Sequence, residues 1–474
     1  MIGPQGKHTQ GADPMKSKRR TGWAWQLGLV GMLMPLALGS AAQVLDRSHD
    51  VAPRPGSEGM AQFPRPTDGR PDPAPPPPSA TPLAPGFDVR QFEAMAQALV
   101  ADQRIPGLAM AIVHNGRVLS ARGYGITDVR AAEPVDSHTV FRLASLSKSF
   151  AGTIAGVLVS EGTMRWDSKV VDYMPGLRMS QPEAAQRITV ADVLSHRVGL
   201  PRHTYDRDIE RGADYLSLVQ NLSSAPMSCA PGDCYGYQNV AFSLVGDVVF
   251  ATSGQFFNEA VSRRLFKPLG MNDASYGLEG IQSSPRWAKP HVRAGRSGWT
   301  SLMPKPTYYR VAPAAGVNAS ISDMAQWLIA HTGHRPDVLP APLLATLHSP
   351  IVGTPGEIRG GAGSWRRQRI NAAGYGLGWR VFDYAGHRVV FHGGAVQGYR
   401  GVMAVVPEHD LGLVVLWNSE SSLPTALLPT ILDRAMGMRG QQWLNVDIDE
   451  SMFASDDDSA PSGPASSNAM ARPD

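Results

Sequence analysis

Ser145 and Lys148, within Ser145-Leu146-Ser147-Lys148, have the residue types and spacing of a nucleophile with a proton acceptor beside it. The tetrapeptide sits where an extended segment, residues 140–144, gives way to an apolar run of helical period. A serine on the first turn of a helix meets free backbone N–H groups and the positive end of the helix dipole. A lysine three residues on projects from the same face and can take the hydroxyl proton. Phe150, Ile154, Val157 and Leu158 share one face of that run, and Ala151, Gly152 and Gly156 keep the remainder small and apolar. A helix apolar on most sides is buried, so Lys148 is expected to be partly desolvated, which disfavours its ammonium form and suits a proton acceptor. Taken alone, S-x-x-K reads as a serine helix cap followed by a solvated lysine.

Two further clusters bear on that choice. Pro231 to Asn239 (PGDCYGYQN) leads into a helix expected from Val240. A loop tyrosine such as Tyr237 can aim its phenol into a cleft and shuttle protons beside an ammonium. Asn239, two residues on, points the same way; it can orient Lys148 and donate to a substrate amide oxygen. The plain alternative is a core aromatic and a helix-capping asparagine. Farther on, His392-Gly393-Gly394-Ala395 ends a strand-like run. Glycines there let a substrate backbone approach the strand, and the N–H groups of Ala395 and Ser145 can form an oxyanion hole. His392 is a candidate for substrate binding together with these glycines; alone it reads as a satisfied sheet-edge histidine.

These residues need a frame. A helix is predicted over residues 89–100, then β-runs at 107–113 and 117–123 across Asn115-Gly116, a hairpin signal. The far end mirrors this with β-rich runs at 382–391, 401–406 and 411–417. Helical patterns lie between, at 147–161, 190–195, 240–252 and 257–265. Strands at both ends with helices between predict an α/β (α+β) chain: one antiparallel sheet built from the two termini, flanked by helices, with an inserted helical domain and a cleft where they meet. The boundaries expected are an N-terminal extension and signal peptide at 1–42, a Pro-rich linker at 43–86, a catalytic domain at 87–445 and a disordered tail at 446–474. Within the domain the sheet draws on about 87–144 and 370–440, and the insertion on about 145–369. The linker assignment rests on 12 prolines between Val51 and Pro85, a density that forbids helix or sheet interior.

Bulk composition excludes several classes. A net charge of +3 is too small to suggest nucleic acid, and the chain has no P-loop, dinucleotide fingerprint or His-Glu-x-x-His. His331 and His334 lack a third ligand in register, so no metal is expected. Lys16, Lys18, Arg19 and Arg20 precede an apolar run, Leu27 to Leu38, and small residues at 39–42, which reads as an export signal; an uncleaved membrane anchor through residues 22–39 is the alternative. The expected location is therefore periplasmic or secreted, or inner-membrane-anchored. Cys229 and Cys234, the two cysteines, bracket Ala-Pro-Gly-Asp and would either form a disulfide across that turn or remain free thiols.

Ser145-x-x-Lys148, Tyr237-x-Asn239 and His392-Gly393-Gly394, in that order, resemble the three motifs of the penicillin-recognising serine hydrolases, nearest the class C β-lactamase-like group. Ile105-Pro106-Gly107, residues 193–201, Pro268 to Met271, Tyr375 to Trp379 and Val415 to Asn418 resemble it as well, so the likeness spans nearly all of 87–440. The resemblance implies the β-lactamase/DD-peptidase-like fold, an acyl-enzyme on Ser145, proton transfer by Lys148 and Tyr237 jointly, substrate positioning by Asn239, and no cofactor. It implies a small-molecule substrate: a D-amino-acid peptide, a β-lactam or a small ester. A carboxylesterase of the same fold, or a penicillin-binding sensor that acylates without turnover, are the alternatives. The third motif departs from the Lys-Thr-Gly of class C β-lactamases. His392 is mostly neutral near pH 7 and Gly393 has no hydroxyl, which weakens the expectation of efficient β-lactam turnover. Arg400 is a candidate replacement charge.

Overall fold

The computed structural model describes residues 80–446 apart from 102–103, 296–297, 359–362, 440 and 445. The expected leader, nearly all of the Pro-rich linker and the acidic tail lie outside the described residues. No described helix is long and apolar enough to cross a membrane, and the anchor candidate at 22–39 falls outside them.

The frame is an eight-stranded antiparallel sheet. Its strands are β1 (Gly107–His114), β2 (Arg117–Gly125), β3 (Val352–Gly353), β4 (Ile370–Tyr375), β5 (Arg380–Tyr384), β6 (His387–Val396), β7 (Tyr399–Val406) and β8 (Leu411–Trp417), in the order β2-β1-β8-β7-β6-β5-β4-β3. The first and last of these strands, β1 and β8, meet in register, with Leu108 opposite Trp417 and His114 opposite Leu411. Successive side chains point to opposite faces of a strand. Leu108, Met110 and Ile112 therefore enter one apolar cluster with Phe92 and Leu99 of α1 (Val89–Ala101), whereas Ala109, Ala111 and Val113 enter the other with the helical region. Cover on both faces explains why β1 and β8 read as unbroken apolar runs rather than alternating ones.

The helical region is led by α2 (Ser147–Ser160), with α3 (Leu244–Ser253) and α4 (Ile321–Ile329) beside it; a last helix, α5 (Leu427–Ala435), joins α1 on the opposite face. Three sequence expectations are refined. The run at 382–391 is a hairpin rather than one strand, because Ala385 and Gly386 both take positive φ (52° and 97°) and turn the chain. The insertion is not wholly helical. Phe141–Arg142, Ser275–Tyr276 and Val317–Ala319 form a small three-stranded sheet that braces the segment before Ser145. The helix expected from Val240 opens with a 3-10 turn, Ala241–Ser243, before α3.

Candidate active site

Ser145 occupies a single 3-10 turn, Ala144–Leu146, wedged between the small sheet and α2. Ala144 adopts φ 50°, a left-handed conformation that costs a non-glycine residue energy and turns the serine out of the packed chain. From Thr139 to Gly156, Ser145 is the one residue that is not buried. The turn is pinned from behind: the Val317 N–H donates to Ser147 Oγ at 3.0 Å, and Ser149 Oγ–H donates to the Leu146 carbonyl at 2.8 Å.

Lys148 is completely buried, further than the partial desolvation expected from the apolar character of α2. Its Nζ donates to Asn239 Oδ1 at 2.7 Å and to the Ala314 carbonyl at 3.1 Å, and lies 4.7 Å from the centre of the Tyr237 ring. A neutral amine has two N–H groups and one lone pair, so two acceptors satisfy that form and leave the lone pair for an incoming proton. Burial pushes the lysine's pKa below its ordinary value, against the opposing pull of Tyr237 and Asp206.

Tyr237 and Asn239 arrive on the loop that follows the Cys229–Cys234 disulfide, which does form, with a Cα–Cα separation of 6.2 Å. Asn239 uses Oδ1 on Lys148 and donates from Nδ2 to Asp206 Oδ2 at 2.9 Å, so one of its two amide N–H groups is already committed.

Gly394 explains how β6 reaches the serine. A Cβ there would stand 2.4 Å from the Leu143 carbonyl oxygen and 3.3 Å from the Leu146 nitrogen, so only glycine lets the strand lie against the turn that carries Ser145. Gly393, Gly394 and Ala395 line the same cleft as Ser145, Tyr237 and Asn239, a cavity of about 400 Å³. His392 does not line it. Its ring is buried, with Nδ1–H donating to the Gly393 carbonyl at 2.8 Å and Nε2 accepting from the Tyr375 hydroxyl at 3.0 Å. Burial, with the charges of Arg380 and Lys148 nearby, holds this imidazole neutral. The charge expected from the Lys-Thr-Gly of the motif that this segment resembles is thus replaced by an uncharged group facing the core. Arg400 lines the cleft, but its Nη1 is tied to the carbonyls of Val396 and Tyr399 at 2.7 and 3.0 Å.

The cationic character of the cleft comes from residues that sequence reasoning missed. Arg202, Arg366 and Arg380 all line it and converge on one carboxylate, Glu357, at 3.6, 3.2 and 3.4 Å. Three guanidiniums against one carboxylate leave two net positive charges. Arg380 stands over the rings of Tyr237 (5.1 Å) and Tyr375 (5.4 Å), and its Nη1 is buried with no hydrogen-bond partner among the described residues. The cluster keeps Glu357 ionised, its pKa below the usual carboxylate value despite burial. These arginines are scattered over 178 residues of sequence (380 − 202), which is why no local motif announced them. His196 was also missed. It is buried against the rings of Tyr237, Phe242 and Tyr375 (4.4, 5.0 and 4.6 Å) and accepts from the Gln238 N–H at 3.1 Å, fixing the loop that carries Tyr237.

The family model for Beta-lactamase matches residues 92–435. Penicillin-binding protein 4 of Amycolatopsis lactamdurans is 27% identical over 365 residues, 74% of this chain and 92% of its own length. The unguisins hydrolase of Aspergillus campestris is 24% identical over 70% of this chain and 62% of its own length. Among solved structures, the octameric penicillin-binding protein homologue from Pyrococcus abyssi superposes with a TM-score of 0.66 at 23% identity, covering 75% of this chain and 79% of its own. The D-amino acid amidase of Ochrobactrum anthropi SV3 reaches 0.60 at 20% identity over 73% of this chain and 98% of its own. With a family match over most of its length and the fold of these neighbours, the chain belongs to the Beta-lactamase family of penicillin-binding-protein-like hydrolases.

Proposed function

We propose that the protein is an exported serine hydrolase that forms an acyl-enzyme on Ser145 and cleaves the amide bond of a D-amino-acid peptide bearing a carboxylate. The observation that carries the acyl-enzyme is the buried Lys148, its two acceptors matched to a neutral amine, three residues from an accessible serine. In acylation the Ser145 Oγ–C bond forms as its proton passes to the Lys148–Tyr237 pair. The same pair returns a proton to the departing amine as the C–N bond breaks. Water then cleaves the ester, and the serine recovers its proton. The N–H groups of Ser145 and Ala395 serve the developing oxyanion, and Gly393-Gly394 admits the substrate backbone. Cys229–Cys234 and the basic-apolar leader support export.

The carboxylate preference rests on Arg380 and its neighbours, which supply the charge that His392 does not. Removing a charged partner from a part-buried site costs about 1.5–3 kcal/mol. Arg380→Met is therefore expected to lower kcat/KM for a D-Ala-ended peptide by about 10–100-fold and to spare a neutral ester. Intact-mass analysis tests the chemistry directly: wild type mixed with a β-lactam or an activated ester should gain one acyl adduct, and Ser145→Ala none. An adduct retained in Ser145→Ala rejects the assignment. Turnover of neutral esters alone, indifferent to Arg380, would make the protein a carboxylesterase; an adduct that never hydrolyses would make it a penicillin-binding sensor.

A further inference from the structure

Asp206 lies outside the three motifs, and the chemistry proposed above assigns it no task. It nevertheless lines the cleft, and its side chain is only 14% exposed. One oxygen, Oδ2, accepts from Asn239 Nδ2 at 2.9 Å and faces His203 Nδ1 at 2.7 Å. The other oxygen, Oδ1, is buried without a hydrogen-bond partner among the described residues. A carboxylate this enclosed needs a reason, since burying it has a desolvation penalty that an exposed site would avoid. Its surroundings supply one. Counting outward from the nucleophile's partner, Lys148 Nζ donates to Asn239 Oδ1, Asn239 Nδ2 donates to Asp206 Oδ2, and Asp206 holds the His203 imidazole at the cleft rim.

An asparagine amide has two ends of nearly equal size, and its orientation is decided by its partners. If Asn239 turned over, its NH2 would remove one acceptor from Lys148 and could donate into the lone pair that the serine proton needs. An ionised carboxylate accepts but cannot donate, so it admits only the NH2 end. From these contacts we propose that Asp206 is a positioning residue, one that locks the Asn239 amide with its oxygen toward Lys148 and so fixes the lysine for acylation. The inference rests on the acyl-enzyme reading given above and adds to it a fourth member that acts through Asn239.

The segment bearing Asp206 is built to hold it. His203 and Tyr205 both take left-handed φ (60° and 64°), and the His203 N–H donates to the Tyr237 carbonyl at 2.8 Å, tying the segment to the catalytic loop. The charged and titratable groups around the pair can be named. Lys148 feels Tyr237, Asp206 and Arg380, with His196 and His392 nearby, both of which burial keeps uncharged. Asp206 feels Lys148 and His203, with Tyr308 across the cleft. Of these, Asp206 carries the negative charge that favours a protonated Lys148, so its removal has a signed consequence.

The test is the pH dependence of acylation by p-nitrophenyl acetate in wild type, Ser145→Ala and Asp206→Asn, with a thermal melt of each. Asp206→Asn preserves size but can donate, which frees Asn239 to turn. The expected result is a fall of about tenfold or more in the plateau rate. The ascending limb should move to lower pH, because the anion held on the far side of Asn239, which favours the ammonium form of Lys148, has gone. A purely structural role would lower the rate or the melting temperature and leave that limb in place. Wild-type limb and plateau in a folded Asp206→Asn overturn the proposal. An unacylated wild type, or acylation surviving in Ser145→Ala, would instead defeat the acyl-enzyme reading itself. Should Asp206→Asn fail to fold, Asp206→Glu serves. It keeps the charge, so the limb stays, and its longer side chain displaces Asn239, so the plateau falls. An unchanged plateau in Asp206→Glu also overturns the proposal.

Discussion

Replacing Gly152 by Ala asks how tightly the helix bearing Lys148 is seated. The turn between β4 and β5 lays its backbone directly on α2. A Cβ at Gly152 would stand 2.0 Å from the Leu377 carbonyl oxygen, and one at Gly378 would stand 2.2 Å from the Lys148 carbonyl oxygen. Carbon and oxygen in such contacts approach to about 3.3 Å, so one backbone must retreat by about 1.3 Å. Neither side yields easily, since the Gly378 N–H is bound to the Leu194 carbonyl at 3.0 Å. Two effects compete. Helix propensity favours alanine by about 1 kcal/mol, and overpacking opposes it by about 1–3 kcal/mol. The contact is with backbone rather than a movable side chain, which places the overpacking cost at the upper end of its range, so it should win by up to about 2 kcal/mol. In a domain this large that lowers Tm by only a few degrees. Catalysis should suffer more. Lys148 Nζ reaches Asn239 at 2.7 Å and Ala314 at 3.1 Å, and an ångström of displacement takes both toward or past hydrogen-bond range. A misplacement of that size costs on the order of 10²-fold in rate. Stopped-flow acylation with an activated ester, beside a thermal melt, measures both. A Gly152→Ala protein with wild-type Tm and a rate within about twofold would refute the reasoning.

Other predictions address the chemistry and the scaffold. Tyr237→Phe should slow acylation by about 10²–10⁴-fold, the usual range for a lost proton-transfer group; a negligible change in single-turnover kinetics would assign the proton to Lys148 alone. His331 Nδ1 and His348 Nε2 lie 3.0 Å apart in the core, and burial lowers His348 from the ordinary histidine value to about 3. The unfolded chain therefore binds this proton more readily. Stability from the neutral ring is present above about pH 6.5 and is lost as pH falls toward the folded value, by about 1.4 kcal/mol per pH unit. Urea midpoints between about pH 7 and 5 should show that loss, to which the buried His196, His331 and His392 also contribute, and His348→Asn should make the slope shallower; equal slopes would contradict the neutral buried pair. Reducing Cys229–Cys234, which closes a loop only five residues apart in sequence, should cost about 2 kcal/mol or less. A loss of about 5 kcal/mol in a denaturation series would mean that the disulfide also organises the Tyr237 loop.

Sequence by itself determined what depends on local pattern. The unbroken apolar runs at 107–113 and 411–417 identified core strands, because a sheet covered on both faces needs no alternation. The apolar wrap of α2 predicted the burial of Lys148, and burial sets its basicity. The order Ser145, Lys148, Tyr237, Asn239, Gly393 and Gly394 named groups that the fold brings to one cleft or, for Lys148, just behind it. Tertiary structure decided the rest. Periodicity cannot say that the 382–391 run folds back at Ala385-Gly386, since a turn of positive φ was not marked by an Asn-Gly pair. Nor can spacing tell that His392 turns inward to Tyr375, because a strand's two faces are assigned only once its neighbours are in place. The arginines around Glu357 and the Asp206–Asn239 contact join residues far apart in the chain. Charge pairing acts through space, so the sign of the cleft and the orientation of its amide exist only in the folded molecule.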